Sequence, residues 1–78
     1  SRADIAASMA DYADIKTAAG VPLHSITRHM LGLYNGQRGA RLWRRCLGEE
    51  ARLRSADGGQ LIRETATACE AMAARLAA

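Results

Sequence analysis

Apolar positions recur at spacings of three and four along four stretches of this chain, and none of it alternates with the period of a β-strand. Over 4–19, Ile5, Met9, Tyr12 and Ala19 fall on one face of a helix, with Asp4, Asp11 and Asp14 on the opposite side. Asp4 lies in the first turn, where it complements the positive helix end. Gly20 is the expected left-handed stop, with Pro22 beyond it. A second helix is predicted over 23–34, its apolar side made of Leu23, Ile26, Met30, Leu33 and Tyr34, with Arg28, His29 and Gly32 on the other. Asn35-Gly36 ends it and Gly39 adds a second flexible point, so the next helix should lie beside it.

The third helix, over 40–54, has the cleanest division. Arg41, Arg44, Arg45 and Arg52 fall within a sector of about 100°, with Gly48 inside that sector. Leu42, Trp43, Cys46, Leu47, Ala51 and Leu53 take the other side. Glu50 and Arg54 break the apolar side and are spaced to pair at i,i+4. A Ser55–Gly59 linker follows, with Asp57 as the expected N-cap of a fourth helix over 60–76. That helix carries Leu61, Ile62, Thr65, Cys69, Met72, Ala73 and Leu76 on one face. Four helices with short links predict an all-α fold, a small four-helix bundle forming one domain over 1–78.

At 78 residues the core is marginal unless it is well packed or borrows a neighbour. Ser1 and Arg2 do not read as a natural start, which suggests a piece of something longer. No apolar run is long enough to span a bilayer, and no signal-peptide pattern is present. The two cysteines, Cys46 and Cys69, are too few and too far apart for a disulfide scaffold or a zinc site. Buried free thiols in a reducing, cytoplasmic setting are expected.

Charge separates the middle of the chain from its ends. Residues 21–54 hold seven arginines against Glu49 and Glu50, a net +5, whereas 1–20 and 55–78 are each −1. Such asymmetry points to a polyanionic partner, most simply nucleic acid. The use of Arg rather than Lys suits bidentate phosphate contacts and stacking on bases. Catalytic chemistry is not indicated: His24 and His29 are five residues apart on different faces, no metal-ligand spacing occurs, and neither thiol has a basic partner placed to activate it. On its own the chain should have no catalytic activity. The residues leave open a helix-turn-helix DNA-binding module with 40–54 as recognition helix, and a protein–protein adaptor with a basic face.

One stretch narrows these readings. Ser25-Ile26-Thr27-Arg28-His29-Met30-Leu31-Gly32-Leu33-Tyr34, then Gly36, then Gly39-Ala40-Arg41, Trp43-Arg44-Arg45 and Leu47, resembles a segment of the C-terminal helical domain of bacterial tRNA-dihydrouridine synthases, most closely the A branch. Ser25, Tyr34, Arg38 and Gly48 stand where that segment has His, Phe, Pro and Ser. The resemblance implies a two-domain parent enzyme. A barrel domain outside these residues would bind FMN, take hydride from NADPH and reduce a uridine flipped out of tRNA. The helical domain would grip tRNA through Arg28, Arg38, Arg41, Arg44, Arg45 and Arg52, contacting phosphate and sugar, with some of these arginines free to dock on the barrel instead.

Overall fold

The computed structural model describes residues 1–77, with side chains through Arg75. Helix α1 (Arg2–Ala18) starts where the Ser1 hydroxyl accepts the Asp4 N–H, and its alanines make it a strong intrinsic helix former. It stops at Gly20, whose φ of +97° is the left-handed geometry expected there. The buried face of α1 is Ala6, Ala10 and Ala13 rather than the Ile5–Met9–Tyr12 stripe. Ile5 is 46% and Tyr12 52% exposed.

The reason is the closeness of α5 (Gln60–Ala77), which packs antiparallel against α1. Its entry at Gly59 is pressed so closely on the Ala10 backbone that a Cβ there would overlap it. At that distance only methyl groups fit between the two helices, so the bulkier side chains of α1 stand on another face. The Asp14 carboxylate accepts the Gly59 N–H at 2.7 Å and also receives Arg63, which donates to Asp11 as well. Asp57, expected as the N-cap of this helix, sits instead in a 3-10 turn (Ser55–Asp57) and pairs with Arg54. On α5, Leu61, Ile62, Thr65, Ala66 and Cys69 are buried, while Met72 and Ala73 are half-buried. The side chain of Leu76, expected on the same face, lies outside the described residues.

Helix α2 spans Leu23–Thr27 and is far shorter than the 23–34 helix expected. Beyond it the chain winds through turns closed by i→i+3 bonds, among them Met30 N–H to Thr27 and Asn35 N–H to Gly32. Two tertiary bonds favour this path. The buried Trp43 Nε1–H donates to the Met30 carbonyl at 2.8 Å, and the Thr27 hydroxyl donates to Leu47. Gly32 adds a poor helix former to the same stretch. The expected packing side largely survives the change of path: Leu23, Ile26, Met30 and Tyr34 are buried, and Leu33 is half-buried.

The third helical segment is continuous but not uniform. It comprises α3 (Ala40–Arg45), a π turn (Cys46–Glu50) and α4 (Ala51–Leu53). Cys46 and Ala51, five residues apart, are both buried, as one π turn requires. The extra residue in that turn sets everything after it about a quarter turn behind α-helical register. Leu53, expected on the apolar side, is accordingly 86% exposed. The expected Glu50–Arg54 pair does not form; Arg54 reaches across to Asp57 and Glu64. The architecture is thus all-α, with Trp43, Tyr34, Leu23, Leu47, Leu61 and Ile62 at its centre. No helix among the described residues is long and apolar enough to cross a membrane.

Candidate nucleic-acid interface

Helix α3 is anchored by its inner side. Trp43 is fully buried, its ring centroid 4.7 Å from that of Tyr34, and the Tyr34 hydroxyl donates to Glu70 at 2.7 Å. Burial, reinforced by Glu70, pushes the Tyr34 phenol above its ordinary pKa and keeps it a donor. At the entry to α3, Gly39 lies against Cys69, with no space for a Cβ. Expected as a flexible point, Gly39 is instead a packing contact, and Cys69 Sγ donates to its carbonyl at 3.3 Å.

This anchoring turns Arg41, Arg44 and Arg45 outward, all three exposed. Arg44 donates to Asn35 Oδ1 at 3.0 Å, so the turn before α3 steadies one guanidinium. Arg28 follows α2, with its Nε donating to His29 Nε2 at 3.3 Å, and both side chains are exposed. Arg38 is exposed in the turn between Gly36 and Gly39. Arg52 is also exposed, beyond the π turn. Gly48 has open space where a Cβ would stand.

Among the described residues, none of these six arginines makes a salt bridge. Two other arginines behave oppositely. Arg54 is held by Asp57 and Glu64, and Arg63 by Asp11 and Asp14. Charge pairing therefore divides these eight arginines into two that tie elements together and six whose charge is left for something else; Arg2, which donates to the Leu33 carbonyl, and Arg75 at the far end of α5 also make no salt bridge among the described residues. The pairs of Arg54 and Arg63 span ten to fifty-two residues apart from the local Asp57 contact, too far for local spacing to reveal. Asn35, nine residues before Arg44, was likewise hidden from the pattern.

The rest of the surface offers little chemistry. Burial pushes the Cys46 and Cys69 thiols above their ordinary pKa, the reverse of an activated nucleophile. Among the described residues there is no group of three His, Cys, Asp or Glu that could hold a metal ion. A helix-turn-helix joins its helices through a turn of three or four residues. Here residues 28–39 separate α2 from α3, and α2 has only five residues, so the geometry does not match that motif.

The decisive comparison is with known sequences. The tRNA-dihydrouridine(20/20a) synthase of Synechocystis sp. is 44% identical over 62 residues, which is 80% of this chain and 18% of the relative. That of Xanthomonas campestris pv. campestris is 35% identical over 77 residues, 99% of this chain and 23% of the relative. That of Escherichia coli K12 is 48% identical over 50 residues, 64% of this chain and 14% of the relative. This chain matches a segment of bacterial tRNA-dihydrouridine synthases. The match covers 14–23% of the length of these synthases. No family model matches the chain, and no solved structure does. The match to the Xanthomonas synthase takes in the helices flanking the arginine-rich stretch, so the likeness is to the whole helical unit and not to a short motif alone.

Proposed function

We propose that this chain is the tRNA-binding module of a flavin-dependent tRNA-dihydrouridine synthase, the C-terminal part of a two-domain enzyme. Its task is to hold folded tRNA so that a target uridine reaches the reducing centre of a barrel domain outside these residues. Flavin does not fit the described residues themselves: they form no strand-to-helix glycine loop to cradle its phosphate, and the basic side chains are exposed rather than gathered in a pocket. The resemblance assigns FMN and NADPH to that barrel, and no step of the reduction is placed on this chain.

The observation that carries the reading is the division among the arginines. Six exposed guanidiniums without carboxylate partners repel one another, and a polyanion relieves that repulsion. Contacts to phosphate and sugar fix orientation without reading sequence, and folded RNA is recognised largely by shape. A rigid helix presenting Arg41, Arg44 and Arg45, flanked by Arg28, Arg38 and Arg52, suits that task.

The test is binding of unmodified tRNA and of duplex DNA at matched salt. If all six arginines meet phosphates, log K falls against log[salt] with a slope of about −4 to −5. Equal affinity for tRNA and duplex DNA at every salt concentration would overturn the assignment to tRNA.

A further inference from the structure

Helix α1 carries two stripes, and only one of them closes on α5, although Met9 of the other is partly packed against the core. Ala6, Ala10 and Ala13 close on α5, while Ile5, Met9 and Tyr12, also one turn apart from each other, face away from that contact. With Ile26 and Met30 they line an open groove of about 780 Å³ between α1 and the α2 region, with Asp4 and Lys16 along it. None of the six unpaired arginines lines this groove. One acidic and one basic side chain give it no excess charge, so phosphate has no electrostatic reason to enter. An apolar face of this kind is suited to another protein surface.

We propose that the groove is the seat of the synthase's own catalytic body, which inserts an apolar ridge between Tyr12 and Met30. This rests on the reading of the chain as one module of a larger enzyme. Size names the occupant: in the Synechocystis and Xanthomonas synthases the matching segment is 18% and 23% of the protein, leaving more than three quarters to pack against a unit of this kind. The position gives docking a consequence. Met30 and His29 line the groove, and Arg28 adjoins them in the chain, so a ridge seated there sets the angle at which the arginine-bearing surface faces the rest of the enzyme.

Hydroxyl-radical footprinting of the full-length protein, without RNA, tests this. Tyr12 is 52% exposed in the structure and Ile15, outside the groove, 69%. Docking predicts that Met9 and Tyr12 are labelled at least fivefold more slowly than their exposure and intrinsic reactivity dictate, while Ile15 and Leu53 are labelled at the full rate. In the Tyr12→Glu variant Met9 labelling should rise toward the unprotected rate with the circular dichroism unchanged. Full-rate labelling of Met9 and Tyr12 in the wild-type protein overturns the proposal. Protection that disappears on dilution also overturns it, because it assigns the groove to a second copy. The readout involves no tRNA, so loss of the RNA-binding reading would leave this result intact, and the reverse.

Discussion

The Thr27 hydroxyl donates to the Leu47 carbonyl at 2.6 Å, with both residues fully buried. This bond joins the end of α2 to the π turn that follows α3, so the two halves of the arginine-rich stretch are fastened together inside the core. Thr27→Val keeps the shape of the side chain but removes the donor, leaving a buried carbonyl without this partner. The expected cost is about 1–3 kcal/mol in urea or thermal unfolding. Thr27→Ser retains the hydroxyl and loses only a methyl group, about 1 kcal/mol. A Val variant as stable as the wild type would show that the bond contributes nothing net.

Three glycines make a direct contrast, two pressed against a neighbour and one in open space within a helical segment. Gly39 meets Cys69, and Gly59 meets the Ala10 backbone, at distances that no real Cβ occupies. Gly39→Ala and Gly59→Ala are each expected to destabilise by about 1–3 kcal/mol through overpacking. Gly48→Ala enters open space within a helical segment and should be neutral or stabilising by up to about 1 kcal/mol. Chemical denaturation of the three variants checks the ordering.

Much of this was legible in the chain. The core face of α5 and the packing residues Leu23, Ile26, Met30 and Tyr34 follow from spacing, because large apolar side chains have few other places to go. The buried face of α1 did not. Periodicity weights a position by side-chain size, so Ile5, Met9 and Tyr12 outweigh three alanines, although close helix contact selects the alanines. Leu53 was misplaced because the π turn is a choice of hydrogen bonding that hydrophobic spacing does not encode. The six arginines were legible as a basic stretch. Their lack of carboxylate partners was not, since Glu49 and Glu50 lie in the same stretch and only the folded arrangement shows that neither forms a salt bridge with them among the described residues.

Acid should act first on the contact between α1 and α5. Arg63, and then the Gly59 N–H, hold the Asp14 carboxyl below its ordinary value. A carboxylate with a depressed folded-state pKa adds stability above its unfolded value, about 4. That contribution fades as the pH falls through the lower folded value. Glu64, held down by Arg54, adds in the same direction. The melting temperature should therefore drop below about pH 4. Asp14→Asn keeps an acceptor for Gly59 but removes the charge, so it should lower stability at neutral pH and flatten the acid limb. Parallel melting curves for variant and wild type down to acid pH would contradict this origin.

The division among the arginines makes opposite demands on two kinds of variant. Arg44→Ala with Arg45→Ala removes two exposed charges that make no salt bridge among the described residues. Unfolding stability should stay within about 0.5 kcal/mol, while the salt slope of tRNA binding becomes shallower by about 2. In Arg54→Ala the charge lost is one that ties α5 and the 3-10 turn to the end of α4. Its main effect should be on stability, at the modest level of partly exposed ion pairs, with the salt slope unchanged. If both variants weakened tRNA binding alike, only total positive charge would matter, and the placement of the unpaired arginines would carry no meaning. Separate responses would show that carboxylate pairing, read from the fold, distinguishes the arginines that hold this module together from those that hold its RNA.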